Sequence, residues 1–272
     1  MNRLTQRFDS LRAAGAKCLV PYLTAAYPSL DASLALLKRL TNPRIGAIEI
    51  GFPFSDPIAD GPVIQTSFHR ALERGFRVST FFAGVKSARA QIAAPLVAMV
   101  SYSIVFARGV DAFAAAAAEA GFDGLLVPDL SLEECETVAA ACKARGLSLI
   151  MICAPTSDAA RRDRIRAISA PFVYYQAVAG ITGERSSLPA DLPARVAELR
   201  GGAAQGGATS VCVGFGISAA AQVREVCRVA DGAIVGSAIV RRINEAIDAG
   251  KADASIVDAV AGFVDELAEG AA

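Results

Sequence analysis

The sequence predicts an α/β protein, a single (β/α)8 TIM barrel domain over residues 1–272 with an N-terminal helix. Eight short apolar runs alternate with segments of helical spacing from one end of the chain to the other. Spread over 272 residues, the eight runs leave about 34 residues for each, which is close to the size of one βα repeat. The composition, 53% hydrophobic, suits strands that are buried on both faces. A doubly wound open sheet is the alternative arrangement of the same units.

The predicted strands recur at regular intervals, over residues 18–23, 47–50, 96–100, 124–127, 147–153, 172–175, 210–213 and 233–235. Segments of helical spacing follow them, for example over 30–40, 110–120, 132–145 and 219–229. Because parallel strands need a crossover connection, this alternation predicts a parallel sheet. The glycine-rich stretch 201–207 is short and lies between a helix and a strand, so it predicts a loop and not a domain boundary.

The first residues predict a helix that packs against the rest of the protein. Leu4, Phe8 and Leu11 recur at helical spacing among charged residues, without the apolar core of a signal peptide. An amphipathic organellar presequence is the alternative. The 27 Lys and Arg balance the 27 Asp and Glu, which argues against nucleic acid or an anionic membrane as a partner. No continuous apolar stretch of about 20 residues predicts a membrane span.

Cysteine and histidine usage indicates a protein without metal or cofactor. None of the six cysteines forms a C-x-x-C pair, and three lie inside apolar runs, as small core side chains in a reducing compartment do. With His69 as the one histidine, neither a zinc site nor a Ser-His-Asp triad is expected. We therefore expect a cytoplasmic protein.

Two long connections, residues 51–62 and 177–189, leave the carboxyl ends of predicted strands, where barrel active sites are built. Glu49 lies in the strand just before the first of them and Asp60 lies within it, as does Asp56. A carboxylate in a buried strand is costly unless it is paired or used, so Glu49 is either catalytic or part of a salt bridge. For Asp56 and Asp60 the alternative is turn chemistry beside Pro and Gly. Two carboxylates with different pKa values would suit acid–base work.

Glycines predict a phosphate site after the last two strands. G-F-G-I-S, with Gly214 and Gly216, follows the seventh strand, and Gly236 with Ser237 follows the eighth, while I-T-G in the second long connection adds Gly183. Glycines let backbone N–H groups approach an anion, and helix N-termini supply a positive dipole end. A glycine pair at a single strand–helix turn is common and carries little information. Glycines after two adjacent strands favour a phosphorylated substrate.

Tyr22 near the end of the first strand, and Tyr174 and Tyr175 near the end of the sixth, are pocket residues only if they point inward. Otherwise they are core residues. The residues alone thus indicate a metal-free carboxylate lyase or isomerase that acts on a small phosphorylated substrate.

Four stretches together resemble the tryptophan synthase alpha chain family. They are V-P-Y-L-T-A-A-Y-P (20–28), E-I-G-F-P-F-S-D-P-I-A-D-G-P-V-I-Q (49–65), G-F-G-I-S (214–218) and A-D-G-A-I-V-G-S-A-I-V (230–240). The second stretch is highly specific, and the likeness runs from about Leu4 to Leu267. It implies a (β/α)8 barrel that cleaves indole-3-glycerol phosphate to indole and glyceraldehyde 3-phosphate.

The resemblance also implies roles for particular residues. Glu49 would be the general acid–base, and Asp60 would hold the indole N–H. Tyr22, Tyr174 and Thr182 would line the pocket, with Thr182 in a loop that closes it. The phosphate would be taken by Gly183, Gly214, Gly216, Gly236 and Ser237.

The chain departs from the family pattern on the face that would dock a tryptophan synthase beta chain. Ser103 stands where the family usually has Asn after the third strand, and Ser131 stands in the place of a Pro after the fourth. Pro53, Asp56 and Pro57 of the docking loop are kept. Away from that face, Ala177 and Val178 replace the Ser-Arg of the sixth-strand loop, a change that bears on loop closure. The family partner, a beta chain, is therefore an expectation with an altered docking face.

Three function classes remain open from the sequence. The first is an indole-3-glycerol phosphate lyase, as a synthase subunit or as a stand-alone indole producer. The second is a catalytically weak paralogue that binds a phosphorylated ligand or regulates a beta chain; intact Glu49 and Asp60 favour the enzyme. The third is another phosphate-binding aldolase or isomerase, but a Schiff-base aldolase needs a lysine at a strand end, where this chain has none.

Overall fold

The computed structural model describes residues 2–58, 60–177, 189–201, 209–214 and 216–272. Within them, nine strands form one parallel sheet in the order β5-β4-β3-β2-β1-β9-β8-β7-β6. The strands are β1 (Cys18–Thr24), β2 (Ile48–Gly51), β3 (Leu96–Met99), β4 (Gly124–Leu126), β5 (Ser148–Ile150), β6 (Ile152–Cys153), β7 (Phe172–Gln176), β8 (Ser210–Gly214) and β9 (Gly232–Val235).

The two end strands of the sheet come from one stretch of chain, and this closes the barrel. The predicted fifth strand, 147–153, is divided at Met151 into β5 and β6, which pair with β4 and β7 respectively. The N–H of Ala170 donates to the carbonyl of Leu149 (3.0 Å), and that of Tyr174 donates to the carbonyl of Met151 (3.1 Å). The barrel prediction is therefore confirmed, and the open doubly wound sheet was the wrong alternative.

The helices of the described residues lie between successive strands, except that one precedes the first strand and two follow the last. They are α1 (Arg3–Ala13), α2 (Leu30–Arg39), α3 (Pro62–Glu73), α4 (Val78–Ala88), α5 (Tyr102–Arg108), α6 (Val110–Ala120), α7 (Cys135–Ala144), α8 (Ala159–Ile168), α9 (Leu192–Arg200), α10 (Ala220–Cys227), α11 (Ser237–Asp248) and α12 (Asp253–Ala268). The predicted helix 132–145 begins later, at Cys135, because the Ser131 hydroxyl accepts from the N–H of Glu134 (3.2 Å) and forms a turn there. No helix in the described part of the chain has the length and apolarity to cross a bilayer.

Helix α1 closes the amino-terminal end of the barrel. Its buried Leu4, Phe8 and Leu11 pack against the side chains inside the barrel, and the ring of Phe8 stacks on that of Phe172 at 4.7 Å. The interior side chains of this cluster are Cys18, Val20, Ala47, Val97, Leu126, Ile150, Phe172, Cys212 and Ile234. This packing agrees with the packing-helix interpretation, and it leaves only the carboxyl end of the barrel open for a site.

Two aspartates bind neighbouring strands together at the closed end. Asp123, just before β4, is 4% exposed; it accepts from the N–H of Leu96 at the start of β3 (2.9 Å) and from Arg89 (3.1 Å). Asp231, just before β9, accepts from the N–H of Val211 in β8 (3.0 Å) and from Arg200 (2.7 Å). These ion pairs and backbone bonds belong to the end of the barrel that carries stability and not catalysis.

Candidate active site

Glu49 points into the barrel at its carboxyl end. It stands opposite Tyr22 of β1 and Val97 of β3, two residues beyond interior Ala47, so its side chain faces the same way. The residue is 1% exposed, and its Oε1 has no hydrogen-bond partner among the described residues. Burial raises the pKa of Glu49 to about 8, so at neutral pH the carboxyl holds a proton. These observations do not support the salt-bridge alternative.

Asp60 lines a cavity at the carboxyl end of the barrel that Tyr22 also lines, and its protonation state is opposite to that of Glu49. It ends a turn in which its N–H donates to the carbonyl of Pro57 (3.1 Å). Partial burial raises the pKa of Asp60 to about 6, which leaves the carboxylate mostly ionised at neutral pH. The site thus combines a proton donor and an anion. Asp56 is exposed, and its carboxylate accepts from the hydroxyl of Ser55 (2.6 Å).

The three candidate tyrosines divide between two faces. Tyr22 and Tyr174 lie inside the barrel end, whereas Tyr175 belongs to the layer between sheet and helices. Burial raises the pKa of both interior phenols well above the usual value, and the negative charges of Asp60 and Glu49 raise it further. The Oη of Tyr22 is buried without a hydrogen-bond partner in the described residues, so a bound ligand could supply one.

Two glycines make room for these rings. A Cβ on Gly51 would overlap the hydroxyl end of Tyr22, and one on Gly214 would overlap that of Tyr174. The sequence predicts a phosphate role for Gly214 and none for Gly51. One feature could have indicated that these glycines make room for the rings. Each glycine is the last residue of its strand, and that strand pairs with the strand that carries the tyrosine.

An apolar cavity of about 260 Å³ opens between Asp60 and the ends of β1 to β4. Phe68 and Ile64 of α3 pack against Tyr22 at its inner wall, and Met99 of β3 lies beside them. A mostly apolar pocket with a few polar groups suits a flat hydrophobic ring. Phe68 and Met99 could not be predicted as pocket residues, because apolar residues that line a pocket have the same sequence pattern as core residues.

The expected phosphate residues that the structure describes lie together at the neighbouring strand ends. Gly214 ends β8, which pairs with β9, and Gly236 and Ser237 lead from β9 into α11. Gly216 has φ of +81°, a conformation that favours glycine. Thr182 and Gly183 lie outside the described residues.

The substituted positions of the expected docking face make local hydrogen bonds. Ser101, the N-cap of α5, donates to Asp129 (2.7 Å) and accepts from the N–H of Ser103 (3.3 Å). Ser131 donates to Glu134 (3.1 Å). Nearby, the side chains of Ile58 and Phe106 are 89% and 69% exposed.

Comparison with known proteins gives one family. The model of the tryptophan synthase alpha chain family matches residues 8–270. The alpha chain of Rhodopirellula baltica is 39% identical over 99% of this chain and 96% of its own length, and that of Synechococcus elongatus is 43% identical over 90% and 91%.

Solved structures agree with the sequence relatives. A chain of Mycobacterium tuberculosis tryptophan synthase superposes with a TM-score of 0.86 at 34% identity, covering 99% of this chain and 98% of that one. The alpha subunit from Legionella pneumophila gives 0.85 at 32% identity, with the same coverage. Nothing in these likenesses favours a catalytically weak paralogue. The chain belongs to the tryptophan synthase alpha chain family, the carbon–carbon lyases of tryptophan biosynthesis that cleave indole-3-glycerol phosphate to indole and glyceraldehyde 3-phosphate.

Proposed function

We propose that this chain cleaves indole-3-glycerol phosphate by acid–base retro-aldol chemistry in which Glu49 moves the protons. The observation that supports this role is the buried Oε1 of Glu49, which has no hydrogen-bond partner among the described residues and belongs to a carboxyl with a pKa of about 8. A general acid works best when its pKa lies near the operating pH.

The reaction needs one proton delivered and one removed. Glu49 gives its proton to indole C3, which makes the ring a leaving group. The bond between C3 and the glycerol carbon then breaks, and its electron pair returns to the ring as neutral indole. The oxygen of the adjacent hydroxyl becomes the aldehyde oxygen and releases its proton to the Glu49 carboxylate. The carboxyl ends protonated, and no external oxidant or cofactor is needed.

Asp60 acts on the ring nitrogen. Protonation at C3 places positive charge on that nitrogen, and an anion beside the N–H stabilises the charge. Its pKa of about 6 keeps Asp60 ionised while Glu49 remains protonated. Environments that push two carboxyl pKa values apart are typical of paired acid–base sites.

We place the phosphate over the ends of β8 and β9, at Gly214, Gly216, Gly236 and Ser237, with Gly183 as a further contact. Helix α11 begins at Ser237 and has 12 residues, so its N-terminus offers free N–H groups and a positive dipole end. Tyr22 and Tyr174 line the pocket between the two ends of the substrate, and Thr182 closes it.

A tryptophan synthase beta chain is the proposed partner, docked over an altered face. Pro57 and the exposed Ile58 lie on that face, and Ser103 and Ser131 change it. Residues 1–272 are proposed to make one domain, and the six buried cysteines, none of which is in a disulfide, support a cytoplasmic location.

The test is indole release from indole-3-glycerol phosphate by wild type and Glu49→Gln, without and with a beta chain. We expect the variant to lose about 10²–10⁴-fold or more in kcat while it still binds substrate. Glu73→Gln, an exposed carboxyl change on α3, is the matched control. Full turnover by Glu49→Gln would remove Glu49 from the proposed role. Fast release by wild type alone would mark a stand-alone lyase, whereas release only with the beta chain would mark a synthase subunit.

A further inference from the structure

Gln65 fastens the turn that carries Asp60. The turn is closed by the bond from the Asp60 N–H to the Pro57 carbonyl (3.1 Å). The Nε2 of Gln65 donates to both ends of this turn, to the Asp60 carbonyl at 2.8 Å and to the Pro57 carbonyl at 3.3 Å. Gln65 is the last residue of the 49–65 motif, and the acid–base roles above do not use it.

The turn that carries Asp60 separates a cavity from a groove on the protein surface. Pro57 and Ile58 line both the 260 Å³ cavity beside Asp60 and an outer groove of about 380 Å³. Gln65 lies in the outer groove, and Ile58 at the tip of the turn is 89% exposed. Because the turn has solvent on its outer side, its position depends on bonds to a firmly held element.

Helix α3 is that element. Gln65 lies in its first turn, between buried Ile64 and buried Ser67 and Phe68. The Ser67 hydroxyl lies 2.7 Å from that of Thr24 in β1, so the start of α3 is bound to the barrel wall. Gln65 therefore links the Asp60 turn to the sheet through one helical turn.

We propose that Gln65 is a positioning residue, whose amide holds Asp60 at the distance from Glu49 that the cleavage requires. The proposal rests on the proposed function of Asp60. Gln65 faces the outer groove and not the reacting atoms, so it acts only through the turn. A misplacement of about 1 Å in a catalytic group is enough to cost about 10²-fold in rate.

The experiment compares Gln65→Leu, which removes both donors at similar length, with Thr66→Val as control. The Thr66 hydroxyl donates within α3, to the Pro62 carbonyl (2.8 Å), and makes no other bond to the described residues. Indole release is measured under whichever condition, without or with a beta chain, gives wild type its higher rate. We expect Gln65→Leu to lower kcat about 10- to 100-fold with little change in KM, and Thr66→Val to leave both within about twofold. Gln65→Glu, which turns an acceptor toward the two carbonyls, should lose at least as much.

Repeating the Gln65→Leu substitution in the Asp60→Asn variant distinguishes a positioning role of Gln65 from a general structural effect. In Asp60→Asn, adding Gln65→Leu should cost less than about twofold, because the residue through which Gln65 acts is already disabled. Equal losses in both backgrounds, or wild-type kcat in Gln65→Leu, would overturn the inference. Melting temperatures of Gln65→Leu and Thr66→Val should agree, and a large drop for Gln65→Leu alone would also overturn it. Wild-type activity in Asp60→Asn itself would instead refute the proposed role of Asp60, on which the inference depends.

Discussion

Replacing Glu49 by Gln should make the folded protein increasingly stable, relative to wild type, as the pH rises. Burial raises the pKa of Glu49 from 4.5 to about 8, so between these values the folded chain binds a proton that the unfolded chain has released. Stability therefore falls with rising pH over this window. Since each pKa unit is worth about 1.4 kcal/mol, the wild-type free energy of unfolding should lose about 4 kcal/mol relative to Glu49→Gln between pH 5 and pH 9.

The measurement is urea unfolding of both proteins at pH 5, 7 and 9. The buried amide of Gln adds an offset that does not depend on pH, so the test is the slope of the difference and not its value at one pH. Asp60 and all other titrating groups are common to the two proteins and cancel. A difference in stability that stays constant across this range would refute the conclusion that Glu49 is protonated and buried in the folded state.

Two further predictions concern the site. The plot of kcat/KM against pH should be bell-shaped, falling below about pH 6 as Asp60 is protonated and above about pH 8 as Glu49 ionises; a flat profile from pH 5 to 9 would contradict both assignments. Gly51→Ala should lower kcat/KM, because its methyl group displaces the Tyr22 ring, whereas Gly262→Ala, with open space around it, should leave activity unchanged. Equal kinetics for the two alanine variants would show that Tyr22 has no fixed place in the pocket.

The fold could be predicted closely because hydrophobic periodicity is a local property. The helix predicted over 110–120 has the bounds of α6, and each predicted strand except the fifth coincides with one observed strand within a few residues. The division of the fifth strand at Met151 could not be predicted, since it arises from how the two ends of the sheet meet. The late start of α7 was foreseeable from Ser131, whose hydroxyl favours a turn.

The site was predicted unevenly, for physical reasons. Glu49 was found because a carboxylate inside an apolar strand is unusual, and that signal is in the sequence. Which of Tyr174 and Tyr175 faces the interior depends on strand register, which sequence alone did not give. Gly51 and Gln65 act through contacts with residues on other elements, and only coordinates reveal such contacts.

The aspartates at the closed end of the barrel indicate that the fold repeats itself in two halves. Asp123 and Asp231 both precede a Gly at the start of a strand, in F-D-G and A-D-G, and each accepts from the backbone of the strand before it. Their strands, β4 and β9, lie on opposite sides of the ring, with β5 and β6 counted as one interrupted strand. A rotation of the barrel by half a turn about its axis therefore places the Asp123 bond on the Asp231 bond. The eight βα units thus form two halves of four units each. In each half, an aspartate just before the last strand accepts a hydrogen bond from the backbone of the preceding strand.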